Sequence, residues 1–360
     1  MSLRVLLQKS LLALLLLPTL VLAADRVGDF SLLDQNGYFH QMSWYDDNKA
    51  IVLLVQATGD TDSHKRLADF KSLNASFGAQ GIEFFMINPL GLNDRDAVKV
   101  EMAALAIDVP VLMDDARLIS EALGIDKVGE VLVYNPKSFT VEFRGPMGPA
   151  LTTALTDIVA GRDLQTTNVT ASGTPVSYPI KIAHQQQVPS YEKEIGPIIA
   201  ENCATCHREG GIAPFALDSH TMVRGWSQMI REVLMTKRMP PGQIDSHIGD
   251  FVNDMVLADE EAQKIVHWIE AGSPKDGSID PLTELVWPET EWAFGEPDYI
   301  VEIPEQSIPA TGVLDYYNVM VELDLEEDRW VRASQYIPGD HTVLHHTLHS
   351  LIARGETRGG

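Results

Sequence analysis

Residues 51–60 read IVLLVQATGD, an unbroken apolar run of buried-strand length that stops at a polar, glycine-containing turn. Three further runs share its character: 82–88 (IEFFMIN), 109–114 (VPVLMD) and 130–135 (EVLVYN). Between them, 62–77, 94–105 and 116–123 carry apolar residues at helical spacing, the last closed by Gly124. Strand and helix in alternation imply an α/β layer with a largely parallel sheet. A last strand at 140–144 and a helix at 154–160 complete this unit, which spans 25–162.

Outside it the texture changes. Residues 163–188 are rich in Thr, Ser, Gln and Pro and read as a linker. Residues 189–275 read as all-helical, with helices around 192–201, 220–236 and 259–271. A Pro- and Gly-containing connector, 276–297, follows. From 298 to 360 short β-branched and aromatic runs alternate with turns, as at the start of an antiparallel β domain. The acidic residues of this region read as a solvated face.

The chain of 360 residues has 27 Lys+Arg against 51 Asp+Glu, a formal charge of −24, and 2 Cys. That length predicts several domains. The charge disfavours nucleic acid or an anionic membrane surface as a partner. Two cysteines cannot staple so long a chain. Residues 1–24 read as a secretory signal: Arg4 and Lys9 lead into an apolar run over 11–17, with Val21 and Ala23 at a small-residue cleavage site. Pro18 interrupts the run, which is shorter than the ~20 residues a membrane span needs. The expectation is a periplasmic or secreted protein without a membrane span.

Both cysteines fall in Cys203-Ala204-Thr205-Cys206-His207, the pentapeptide that attaches c-type haem. Two thiols three positions apart reach the two vinyl groups on one porphyrin edge, and the next histidine lies beneath the iron as proximal ligand. A thioredoxin-type redox pair would follow a buried strand and open a helix, whereas a polar helical segment precedes this one. Zinc would need further close-set Cys or His ligands, and His220 lacks the paired spacing. For the sixth position Met239 is favoured, because Arg238-Met239-Pro240-Pro241 is a stiff loop after a helix that can present a thioether to the distal face. Met222, Met229, Met235 and Met255 are rivals, the first three spaced as for packing; His220 or His247 would give bis-His ligation and a lower potential.

Residues 192–271, with CATCH, the following Gly211-Ile212-Ala213-Pro214-Phe215 and the Arg-Met-Pro-Pro loop, resemble the small class I cytochrome c domains of multidomain bacterial proteins. The resemblance implies haem c on Cys203 and Cys206, with Pro214 helping to fix the proximal His207. Residues 25–162 resemble the redoxin branch of the thioredoxin fold through VGDFSLLDQNG, IVLLVQATGD and EVLVYNPKSFTVEFRG. In active members the first of these buried strands leads into a CxxC or a peroxidatic Cys at the head of a helix. Here those places read Asp60-Thr61-Asp62-Ser63, and the domain holds no cysteine. Gly129 stands where the family has a proline before the terminal strand. Neither disulfide reduction nor peroxidase chemistry is expected of it; it reads as a docking module that keeps the fold's groove, or as a spacer.

Four of the 11 histidines, His341, His345, His346 and His349, lie in DHTVLHHTLHS. Clustered imidazoles in an exported protein suggest copper or zinc. Neighbouring residues on a strand face opposite ways, so His345 and His346 share a metal only at a bulge or strand end. Residues 298–353 resemble the start of the type II copper, ascorbate-dependent monooxygenases, which implies a partial jelly-roll-like sheet and a copper site at His345-His346, although Thr347 replaces the family's methionine. Two functions compete. One is single-electron transfer through haem, with a redox protein or a small-molecule donor as partner. The other is a copper monooxygenase fed by its haem domain.

Overall fold

A computed structural model describes residues 26–352, apart from 91–94, 163, 165–166, 246, 253, 288–291, 316, 341–342 and 345–346. The chain divides into two units between Ser177 and Tyr178. The segment read as a secretory signal lies outside the described residues.

The first unit is built on one sheet. Its strands are β1 (Ser31–Asp34), β2 (Phe39–Gln41), β3 (Ala50–Val55), β4 (Ile82–Asn88), β5 (Val111–Met113), β6 (Glu130–Asn135), β7 (Thr140–Pro146) and β8 (Thr167–Asn168), in the order β2-β1-β5-β4-β3-β6-β7-β8. β3, β4 and β5 are parallel, while β6 runs antiparallel to β3 and β7 antiparallel to β6. Four helices complete the unit: α1 (Thr61–Phe77), α2 (Arg95–Ala104), α3 (Leu118–Ala122) and α4 (Pro149–Val159). A parallel β3-α1-β4 crossover joined through β6 to the antiparallel β6-β7-α4 is the thioredoxin-like arrangement expected for 25–162.

Every residue of β3 is buried, which explains why its sequence does not alternate. Val52, Leu54, Phe84, Met86, Val131 and Val133 share one core with Leu67 and Phe70 of α1, Val98 and Met102 of α2, and Leu151 and Leu155 of α4. Other residues of the same strands are covered by the N-terminal segment: the Phe30 ring lies 5.4 Å from Tyr134, and Tyr45 lies 5.2 Å from Phe85.

The stretch read as a linker, 163–188, is structured in both halves. Its first half belongs to the sheet: β8 pairs with β7, Val128 N–H donates to Thr174 O at 2.9 Å, and Val176 N–H donates to Asp126 O at 2.8 Å. Backbone bonding, which leaves no apolar signature, holds this polar sequence in place. Its second half contains α5 (Pro179–Gln186).

The second unit is helical. A π-helical turn, Tyr191–Ile195, leads into α6 (Gly196–Asn202), followed by α7 (His220–Gly225), α8 (Ser227–Met235) and α9 (Asp259–Glu270). The helix expected over 220–236 is interrupted at Trp226. Tyr191, Ile195, Ile199, Val223, Ile265 and Trp268 form the core, which Leu282 joins. Residues 280–285, expected in a connector, are thereby part of the helical unit.

Asp280 ties these parts together. It accepts from the Tyr191 hydroxyl at 2.5 Å, from His220 N–H at 2.8 Å and from Leu282 N–H at 3.3 Å. Burial alone would raise its pKa, but those hydrogen bonds and Lys275 hold the carboxyl below the ordinary 3.8. A depressed carboxyl stabilises the fold fully above its ordinary value and loses that contribution as pH falls from there through the lowered, folded-state one. Asp280→Asn is therefore expected to cost about 1–3 kcal/mol at neutral pH, with the gap to wild type narrowing below about pH 4 in denaturant titrations.

Beyond 291 the described residues contain neither strand nor helix, and the antiparallel sheet expected there is not seen among them. Val313, Met320, Trp330 and Val331 are exposed.

Candidate functional site

α6 delivers the two cysteines. Ile198 and Ile199 bury one side of the helix, and Cys203 and Ala204 both donate their N–H groups to Ile199 O at 2.9 Å. The chain then turns tightly, with Cys206 and His207 N–H groups both reaching Cys203 O, at 3.2 and 2.9 Å. Cys203, Cys206 and His207 thus sit on one turn at the end of a packed helix.

The loop after the turn folds back over it. Ala213 N–H donates to Cys206 O at 3.1 Å and Leu217 N–H to His207 O at 2.7 Å. Gly211 permits this closeness, since a Cβ there would lie 2.4 Å from Cys206 O. The His207 imidazole bonds through Nδ1 to Phe215 O at 3.0 Å. A carbonyl only accepts, so Nδ1 carries the proton and Nε2 presents its lone pair, the form and orientation of a metal-ligating histidine. The Phe215 ring lies 4.7 Å from His207 and stacks on Trp226 at 4.2 Å.

Both cysteines are free. Burial, and then Cys206 and Glu261, push the Cys203 thiol up to about 12. A redox CxxC has the opposite shift on its attacking thiol, toward a stabilised thiolate. Among the described residues no group of three or more His, Cys, Asp or Glu is arranged to hold a metal ion.

Met239 lies beyond α8. Arg238 and Met239 N–H groups reach back to Val233 O at 2.9 and 3.3 Å, Pro240 is buried, and the Met239 side chain is 39% exposed. Met235 is instead consumed by the core. His220 leaves the set of iron-ligand rivals: its Nε2 bonds to Ser273 O at 3.0 Å, and its ring packs against Tyr191 and Trp268. His247 is held by Asp245, 3.2 Å from its Nδ1.

The donor set fits haem c: two thiols and an oriented imidazole on one turn. Ile212, Met229, Met239, Phe251, Val252 and Met255 are each exposed. His341, His345 and His346, the copper candidates, lie outside the described residues; the His349 ring lies 5.2 Å from Tyr336.

In the first unit the place of the missing thiols is filled by hydrogen bonds. Asp60 caps α1, accepting from Asp62 and Ser63 N–H groups at 3.0 and 2.7 Å and from the Thr174 hydroxyl at 2.7 Å. Burial opposes, but these donors outweigh it and hold the carboxyl below its ordinary range, as a cap. Glu101 accepts from Gly59 N–H at 2.7 Å and pairs with His64 at 2.6 Å. Gly129 adopts φ +85° and donates its N–H to Val55 O at 2.8 Å. Proline has neither that φ nor that proton, so Gly129→Pro is expected to cost roughly 2 kcal/mol or more in chemical unfolding.

No protein-family model matches the sequence, and no curated protein matches it. Among solved structures, a hypothetical protein from Sinorhizobium meliloti 1021 is similar over 43% of this chain and 93% of its own, at 18% identity and a TM-score of 0.39. A peroxidoxin BcpB from Mycobacterium tuberculosis is similar over 39% and 97%, at 20% identity and a TM-score of 0.33. The exposed lipoprotein thioredoxin of Streptococcus pneumoniae strain TIGR4 is similar over 36% and 99%, at 18% identity and a TM-score of 0.32. The thioredoxin-like description of the first unit rests on its own strand order and crossover.

Proposed function

We propose that this chain is an exported c-type cytochrome that passes single electrons through haem held on Cys203, Cys206 and His207, fused to a thioredoxin-like unit without thiols. The observation that carries the reading is the His207 Nδ1 to Phe215 O hydrogen bond, which leaves Nε2 as the ligand atom beside two free cysteines. Haem c supplies a reversible ferric/ferrous couple when bound. Cys203 and Cys206 would hold the haem through thioethers, each formed by addition of S–H across a vinyl group, which releases no leaving group and needs no oxidant. The Phe215 carbonyl keeps the imidazole from rotating and raises its basicity toward iron. Met239 would supply a thioether ligand to the iron, which favours the reduced form.

The thioredoxin-like unit takes no part in thiol chemistry, because residues 25–162 contain no cysteine. A redox protein or a small-molecule donor exchanges electrons with the haem unit. The monooxygenase reading depends on His345 and His346, and no described residue favours it.

Potentiometric titration of the haem-loaded chain tests the reading. The expected result is one Nernstian step with the slope of a single electron. A chain that binds haem yet is neither reduced nor oxidised by small mediators would overturn it, as would insulin-type disulfide reduction by the purified protein for the claim about the first unit.

A further inference from the structure

The N-terminal hairpin of the first unit holds a hydrogen-bonded relay, Asp34–His40–Tyr45. β1 and β2 pair with Leu32 opposite His40, and the short helical turn Met42–Tyr45 follows directly on β2. The Tyr45 hydroxyl lies 2.6 Å from His40 Nδ1, and His40 Nε2 lies 3.3 Å from Asp34 Oδ2. The partners fix the tautomer. An ionised carboxylate only accepts, so Nε2 carries the imidazole proton, Nδ1 presents a lone pair, and the Tyr45 O–H donates to it. Asp34 is 2% exposed, and its Oδ1 accepts from the Tyr38 and Asn36 N–H groups at 2.9 and 2.8 Å. Burial opposes, but His40 and these two donors hold the carboxyl below its ordinary range, so it stays ionised.

Taking an electron from a phenol turns its O–H into a strong acid, so the loss is easiest where a base already faces that proton. Burial, and then Glu83 and Asp34, push the Tyr45 hydroxyl up to about 12, which closes the route through tyrosinate at neutral pH and leaves His40 as the outlet. Phe85 packs edge-on to both rings, 5.0 Å from His40 and 5.2 Å from Tyr45. Two other tyrosines show the contrast. Tyr134 donates to Gly28 O at 2.7 Å, a carbonyl that takes no proton. Tyr191 donates to Asp280, a carboxylate and so a weaker base than an imidazole, weakened further by its other donors.

We propose that Tyr45 is a redox-active tyrosine that yields one electron to a high-potential, metal-centred oxidant while its phenolic proton passes to His40. The phenol loses an electron to the oxidant and a proton to Nδ1, which leaves a neutral tyrosyl radical, an imidazolium and an oxidant reduced by one electron. The imidazolium keeps Nε2–H on Asp34, and the Glu83 carboxyl of β4 feels its charge, so the cation forms next to two acidic side chains. When the radical is reduced again, the proton returns along the same hydrogen bond. Tyr45 is half-buried and Trp44 beside it is 63% exposed, so an oxidant touching this surface comes close to the ring without entering the protein. The thiol-free unit thereby has a redox chemistry of its own, which does not rest on the haem.

Photogenerated ruthenium(III) polypyridyl, applied to the full chain with any haem kept ferric, tests this by time-resolved electron paramagnetic resonance. The expected result is a first-formed tyrosyl radical in the wild type that is absent in Y45F. H40Q keeps an acceptor for the hydroxyl but no base for its proton. It is expected to slow radical formation by about a hundredfold or more, the low end of what a positioned proton acceptor contributes. Transfer of the wild-type chain to heavy water should also slow formation, because the proton moves with the electron. An undiminished radical in Y45F, or one formed at the wild-type rate in H40Q, would overturn the proposal, as would equal rates in light and heavy water or no tyrosyl radical in the wild type.

Discussion

Met239→Ala is expected to lower the midpoint potential of the haem-loaded chain by on the order of 0.1 V or more, within the ~0.8 V that axial ligation spans. The Met-to-iron absorption band should vanish with it, while the haem stays attached. The expectation comes from position and chemistry together. Met239 follows α8 on a segment pinned by two N–H bonds to Val233 O and by the buried Pro240, and its thioether is exposed rather than spent in the core. Loss of that ligand leaves water or a weaker donor, and the oxidised form gains. An unchanged spectrum and potential would remove Met239 and turn attention to Met229, Met255 or His247.

Serine at both Cys203 and Cys206 is expected to abolish covalent haem altogether, with the thioredoxin-like unit still folded by its own unfolding transition. A hydroxyl does not add to a vinyl group under the conditions in which a thiol does. His207 alone would then hold haem only by coordination, and the pigment would leave on denaturation. Either single variant should retain one thioether and an attached, less stable chromophore. Full pigment retention in the double variant after denaturation would contradict attachment at this turn.

The buried strands were legible because both faces of β3, β4 and β6 are covered, which writes continuous apolar runs such as IVLLVQA into the sequence. A helix end was legible where Gly124 marks it. The 163–188 stretch was not, because Thr174 and Val176 are held through main-chain atoms of Val128 and Asp126, and such bonding is indifferent to side-chain type. Residues 298–360 carry a β-like pattern, yet strand formation depends on partners that the pattern cannot name.

The turn that carries Cys203, Cys206 and His207 shows the same division. The pentapeptide is contiguous, so its three side chains can be named together from the sequence. The Phe215 carbonyl that orients His207 is main chain and invisible in sequence, although Pro214 beside it marks the place. His220 looked available as a ligand until the fold buried it against Tyr191 and Trp268.

The central claim is a covalent one, and intact-mass analysis tests it most directly. Protein produced with the export and haem-ligation machinery should be extracted with acidified organic solvent and weighed under denaturing conditions. The account predicts a chain heavier by one haem, with the pigment staying with the polypeptide and mapping to the peptide that contains Cys203 and Cys206. A colourless chain at its unmodified mass, or pigment that partitions into the solvent, would contradict it.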